Sequence, residues 1–276
     1  MAFPKKKWLF SVVASLTLLT TAGCSSSGNV APGGSTAGSV SHLNQILKSK
    51  TIRIAVQSEA APWGVLQSSG KYEGFDIDIA NSLGKSLGAK VQFVSTTNES
   101  RIPLLQADKV DVVIASFTAT DTRAQQVGFS IPYASGGTLI AVAASSPIKS
   151  YSDLDGKSVS ASRGSIGEAI LKSQFPKAKP VLFNSFADSV QALKSNKVDA
   201  LIENNVVTPE LAATDSSIKV LAGPVLQPAL MSLGVQQGDQ VWMNYLNTFI
   251  RNYNINGENE AASQKWLHQA MPDFLK

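Results

Sequence analysis

One phrase occurs twice in this chain, and it restricts the fold more than any other feature. Leu105-Gln-Ala-Asp-Lys-Val-Asp111 runs into Val-Val-Ile-Ala, and Leu193-Lys-Ser-Asn-Lys-Val-Asp199 runs into Ala-Leu-Ile. In each copy an amphipathic helix ends in a polar turn and a short, unbroken apolar strand follows, as a strand covered on both faces requires. Upstream of each stands another strand pattern, at residues 51–56 and 157–161. Helical patterns lie between them: Ile79, Leu83 and Leu87 recur four apart, and Ser185 opens a run of Phe186, Val190 and Leu193. Such strand–helix–strand units predict parallel sheets with helices on both faces, so the echo predicts two α/β lobes. Ligands of these sheets gather beyond the carboxyl ends of the strands, here residues 116–120 and 203–208.

The first of those ends is chemically distinctive. Asp111-Val-Val-Ile-Ala-Ser-Phe-Thr-Ala-Thr-Asp-Thr-Arg123 leads from the buried strand into a cluster of hydroxyls and one arginine. Ser116, Thr118 and Thr120 are hydroxyl donors, and Arg123 offers a planar fork of N–H groups matched to two carboxylate oxygens. A strand followed by a capped helix with a solvated arginine would read the same way in isolation.

With Phe129-Ser-Ile-Pro-Tyr133 after it, this segment resembles the polar-amino-acid solute-binding proteins of ABC importers, the bacterial extracellular solute-binding proteins of family 3. The resemblance covers nearly everything after about residue 47, with its motifs in the family's order. It implies a two-lobed periplasmic-binding-protein fold of type II, each lobe a mainly parallel sheet flanked by helices, joined by a two-strand hinge. Residues 133–137 and 223–228, rich in Gly and Pro, fit the two crossings. The boundaries expected are 47–136 with 227–276 for the first lobe and 137–226 for the second. Residues from 238 to 267 resemble the helices that close the first lobe.

The N-terminus speaks to compartment. Lys5, Lys6 and Lys7 precede an apolar run over residues 8–19, too short to span about 30 Å of hydrocarbon as a helix, so residues 1–23 read as a secretory signal. Thr21-Ala-Gly-Cys24 looks like a lipobox, with Cys24, the single cysteine of the chain, as the lipidated first residue. An ordinary signal peptide with a stray cysteine is the competing reading. Two or three acyl chains give a stable anchor where one is marginal. The stretch 24–46, dominated by Ser and Gly as far as residue 41, reads as a flexible tether. Loss of the three lysines leaves 21 basic against 20 acidic side chains, so the precursor's +4 is no argument for a nucleic-acid partner.

Further site residues follow from the resemblance. Residues matching Ser116 and Thr118 bind the ligand, with Ala115 just ahead of them, and the match to Arg123 clamps the α-carboxylate. Across the cleft, Ser162 and Ser165 lie in a polar loop that opens a helix and suits an anion, although Ser165 serves equally as a plain N-cap. Trp63 matches an aromatic that packs on the ligand, against the alternative of a core tryptophan. Arg101 matches an arginine that reads a side-chain carboxylate in acidic-amino-acid binders, which favours glutamate or aspartate. Asn204 stands where the family usually has an aspartate for the ligand ammonium. Glu203 is adjacent, but neighbouring strand residues face opposite ways, so it replaces that aspartate only if the strand has ended.

The expected protein is therefore an exported, lipid-anchored, monomeric receptor that closes on a small polar amino acid and presents it to an ABC permease. A cyclohexadienyl-dehydratase-like enzyme on the same fold, with Glu203 as its acid, is the alternative, and a ligand-sensing module a third. With only His42 and His268, neither a Cys/His metal cluster nor a Ser–His pair is evident, and no cofactor is expected.

Overall fold

The computed structural model describes residues 41–275; the signal segment, Cys24 and the tether up to residue 40 lie outside the described residues. The chain enters through α1 (His42–Ser49) and β1 (Thr51–Val56). It then forms a small antiparallel sheet of β2 (Glu59–Ala60), β3 (Gly64–Leu66) and β4 (Tyr72–Glu73). Next come α2 (Phe75–Leu87), β5 (Lys90–Ser95), α3 (Arg101–Gln106), β6 (Val112–Val113) and α4 (Asp121–Ala124). The long β7 (Gly128–Ala143) leaves this half. The other half contains β8 (Ser158–Ser162), α5 (Ile166–Gln174), β9 (Lys179–Phe183) and α6 (Phe186–Lys194). It continues with β10 (Ala200–Asn204), α7 (Val207–Thr214) and β11 (Ile218–Val220). β12 (Leu226–Val235) returns to α8 (Gln240–Ile255) and α9 (Glu258–Ala262).

Among the described residues the strands form one path, β5-β1-β6-β12-β7-β10-β8-β9, with β11 beside β7. Towards each end the pairing is parallel: β1 with β5 and β6, and β8 with β9 and β10. The two lobes are therefore α/β with mainly parallel sheets, as the repeated phrase predicts. At the centre β7 runs antiparallel to both β12 and β10. Residues 133–137 lie inside β7 and are held by β12, with Ala229 opposite Gly136 and a register irregularity between Leu226 and Ala229. The first crossing thus lies in a hydrogen-bonded ribbon, while the second joins it only from Leu226 onward.

Period-two alternation explains why the sheet is covered on both faces. Ile52, Ile54 and Val56 of β1, with Val112 and Ile114, belong to the larger core with α2 and α8, while Ala55, Val113 and Ala115 face a second cluster around Leu105 and Phe117. The other half repeats this: Ile140, Val159 and Ile202 pack on one side, Ala141 and Leu201 on the other. The C-terminal helices join the larger core through Trp242, Leu246 and Ile250.

The stretch read from sequence as a tether includes residues that the fold takes up. Residues 42–46 are helical: Ser41 caps α1 by accepting from the Leu43 N–H (3.2 Å), and Ile46 is buried in the larger core. His42 is held by Asp239, which accepts from the His42 backbone N–H at 2.7 Å and lies 2.9 Å from Nδ1. Leu43, Ile46 and Leu47 share a helical face, a signal that the Ser/Gly composition just ahead of it obscures.

Candidate functional site

The carboxyl ends of β6 and β10 meet the start of α5 around a cleft. From the first lobe Arg101, Ser116, Thr118 and Arg123 line it; from the second, Ser165, Glu203 and Asn204 do. Seven of the ten residues expected at the site thus meet in one cavity.

Arg123 sits on α4, whose N-cap Thr120 accepts from the Arg123 N–H at 3.2 Å. Its guanidinium donates to the Thr118 carbonyl (2.8 Å) and, across the cleft, to the Gly164 carbonyl (2.9 Å). Three of its five N–H groups remain. Burial lowers its pKa to about 10, which still leaves it charged at neutral pH.

Arg101, at the start of α3, is almost fully buried. It donates through Nε to the Asn98 carbonyl (3.2 Å) and through Nη1 to the carbonyls of Ala115 (3.0 Å) and Ser116 (3.4 Å). Both guanidiniums flank the Phe117 ring, at 4.5 Å for Arg101 and 5.3 Å for Arg123. Among the described residues neither is within ion-pair distance of a carboxylate. Burial, then the like charge of Arg123, holds the Arg101 guanidinium well below the usual arginine range, with Glu203 and Asp76 opposing. Two desolvated cations thus face one cavity, where an added carboxylate would offset a cost already present.

Opposite them, Glu203 and Asn204 end β10, still paired with Leu139 and Thr138. The strand has not ended, yet both side chains reach the cavity, contrary to the expectation that they face opposite ways. The Glu203 carboxylate bends back to accept from the Asn204 N–H (2.8 Å), a turn its long side chain can make and a straight strand projection does not foresee. Burial pushes its pKa up, against the Asn204 N–H, the charge of Arg101 and the Ser162 hydroxyl. The Asn204 Oδ1, the atom expected to meet an ammonium, accepts from the Val206 N–H at 2.8 Å, an Asx turn that spends it locally.

Three expected site residues lie elsewhere. Trp63 is fully buried, edge-on to Phe75 with centroids 5.5 Å apart, and its indole N–H has no partner among the described residues. It is a core tryptophan, because the larger apolar cluster takes its whole ring surface out of water. Ala115 is also fully buried and contributes only the carbonyl that Arg101 grips. Ser162 faces a neighbouring cavity, with its Oγ 3.5 Å from Glu203 Oε2. Ser165 does both things its sequence allows: it caps α5 by accepting from the Glu168 N–H (3.2 Å) and it lines the cleft.

The sequence reading missed the support beneath Ser116. This residue has φ of 42°, the left-handed region that non-glycine side chains seldom adopt. Its N–H donates to the wholly buried Asp76 (2.7 Å) and its Oγ to Gln57 Oε1 (2.9 Å), while the Tyr133 hydroxyl donates to the other Asp76 oxygen at 2.8 Å. Asp76 shares the stripe of Ala80, Leu83 and Leu87 on α2, so an acid on the apolar face was the available signal. Asn98, which also lines the cleft, carried none.

Residues 52–269 match the family described as bacterial extracellular solute-binding proteins, family 3. The ABC transporter glutamine-binding protein GlnH of Bacillus subtilis (strain 168) is 27% identical over 270 residues, covering 96% of this chain and 98% of that protein. Among solved structures, the solute receptor for L-cysteine of Neisseria gonorrhoeae is similar at TM-score 0.80 and 28% identity, covering 83% of this chain and 94% of that one. An ancestral amino-acid-binding protein described as a precursor of cyclohexadienyl dehydratase is similar at TM-score 0.77 and 31% identity, over 82% of this chain and 99% of that one. The two-lobed fold is that of these amino-acid-binding proteins, and the relatives that match most of the chain are binding proteins and not enzymes.

Proposed function

This chain belongs to the bacterial extracellular solute-binding proteins, family 3, and we propose that it closes two lobes on a small polar amino acid and delivers it to an ABC permease. The observation that carries this reading is the pair of guanidiniums that face the cleft without a carboxylate partner, opposite Glu203. Arg123 receives the α-carboxylate, aided by Thr118 and Ser165, while both Ser116 donors are held by Asp76 and Gln57. Glu203 takes the ammonium in place of the family's usual aspartate, since the Asn204 oxygen is spent on Val206. The lobes are taken as 47–136 with 227–276, and 137–226, moving about the β7–β12 ribbon in a hinge closure. Arg101 is the feature that would suit an acidic ligand.

A thermal-shift screen against amino acids and small carboxylates tests the reading. Ligand at a hundred times its Kd adds about 2.7 kcal/mol, so a cognate amino acid should raise Tm by roughly 5–10 °C. Glutarate stabilising the protein more than every amino acid would show that no ammonium is bound.

One observation favours a second reading: the Glu203 carboxyl, raised by burial, is a candidate acid on a chain similar to a dehydratase precursor. Incubation with arogenate or prephenate should give no aromatic product if binding is the whole function.

Export and anchoring through Cys24 complete the proposal, with the protein facing the periplasm or the cell exterior as a monomer. Among the described residues no helix is long and apolar enough to cross a membrane. Cys24→Ser should abolish palmitate incorporation while ligand binding survives, because the site is built wholly from residues after 97. Equal labelling of wild type and variant would remove the anchor from the proposal.

A further inference from the structure

A second cavity, with about 470 Å³ of empty volume, adjoins the arginine-bearing one at Asn98, which lines both. The two meet again where Ser162 of the second lies 3.5 Å from Glu203 of the first. Its walls come from both lobes: Gln57, Ser95 and Thr96 on one side, Ser162, Asn184 and Ser185 on the other. A ligand held by its main-chain groups at Arg123 and Glu203 would have its side chain beside this space.

The chemistry of the second cavity differs from that of the first. Its lining has hydroxyls and amides but no basic side chain, and its single charged residue is the exposed Glu59. Behind the wall Arg163 is engaged by Asn184 (3.4 Å) and Glu99 (3.8 Å), so a carboxylate placed there would lie beside an acid with no basic side chain in the lining to offset the cost. Donors are nevertheless present. α6 opens onto the cavity through Ser185 and Phe186; the Ser185 side chain already accepts from the Asp188 N–H (3.0 Å), and the first amides of the helix have no intrahelical acceptor. Acceptors are present too, in the Glu59 carboxylate and the serine and threonine hydroxyls. A carboxamide matches both sets, with one oxygen to accept and one NH2 to donate.

Arg101 does not restore an acidic preference. It lines the first cavity and not the second, and three of its five N–H groups are committed to backbone carbonyls.

We propose that the second cavity receives the side-chain end of the bound amino acid, and that this end is an uncharged carboxamide, as in glutamine or asparagine, and not a second carboxylate. The inference rests on the first cavity being the amino-acid site. Calorimetry of the full chain in detergent, titrated with glutamine, asparagine, glutamate and serine, tests it. One of the two amides should bind at least tenfold more tightly than glutamate. Ala60, small and buried in the wall of the second cavity, provides the variant: Ala60→Leu should lower the affinity for that amide at least tenfold more than the affinity for serine. If Ala60→Leu does not fold by circular dichroism, the same ratio is read in Ser162→Val. Glutamate binding as tightly as both amides, or an amide-to-serine ratio unchanged by the substitution, overturns the proposal and leaves the amino-acid reading standing. Binding of none of the four also overturns it, and the wider thermal-shift screen then decides whether the amino-acid reading survives.

Discussion

Arg123→Ala should remove ligand binding and leave the protein folded. The guanidinium is largely taken out of water, yet among the described residues no carboxylate pairs with it, which leaves its charge for what enters the cleft. Truncating one partner of a buried charge pair costs about 2–5 kcal/mol, or roughly thirty-fold to several thousand-fold in Kd. The fold loses two hydrogen bonds, to the carbonyls of Thr118 and Gly164, at a cleft that water can reach. The second bond joins the Arg123 side of the cleft to the Gly164 side, so the variant also loses that link. Arg123→Lys should recover only part of the affinity, because one ammonium cannot copy a planar fork. Calorimetry with the best ligand of the screen measures both variants. Arg123→Ala binding like wild type would mean that the carboxylate sits elsewhere.

The second large effect concerns pH and stability. Burial raises the Asp76 carboxyl from 3.8 to about 7, outweighing the Tyr133 hydroxyl, the Ser116 N–H and the charge of Arg101, all of which favour the carboxylate. Between about pH 4 and pH 7 the folded chain therefore keeps a proton that the unfolded chain has released. The fold is favoured at the acid end of that window, and the advantage is lost as pH rises through the folded value. Integrated over the shift this amounts to about 4 kcal/mol of stability lost between pH 4 and pH 8. Asp76→Asn cannot titrate, so urea unfolding of the variant should lack this component. The cost of the substitution should then shrink by several kcal/mol between pH 5 and pH 8. An equal cost at both pH values would show that Asp76 stays ionised in the fold, with Arg101 dominating its surroundings.

Ser116 shows why Asp76 is kept despite that cost. A left-handed serine persists only where its surroundings fix it, and here a buried carboxylate takes its N–H while Gln57 takes its hydroxyl. The strained residue lines the cleft and the buried acid lies directly beneath it, and a rule broken locally tends to mark a functional site.

Much of the architecture was legible because it is local. The alternation of Ile52, Ile54 and Val56, the spacing of Ile79, Leu83 and Leu87, and the capping serine at Ser185 each follow from the repeat of one element. Their order, twice over, determined an α/β chain of two lobes. The motif from Ser116 to Arg123 placed hydroxyls and a cation at a strand end, and that too is a short-range fact. What only the tertiary structure decided depends on which distant segments meet. Trp63 went to the core and not to the cleft because Phe75, twelve residues on, offered it an apolar face. Glu203 joined Asn204 in the cavity because its side chain folds back on its own backbone, a choice of torsions that strand periodicity does not encode. Asp76 lies under Ser116, forty residues away, because α2 packs against the sheet at that strand end. The second cavity exists only where residues 57–60 and 95–98 face residues 162 and 184–186. Periodicity prescribes which face of an element is buried. It says nothing of what the opposing lobe brings to that face, and the ligand is selected there.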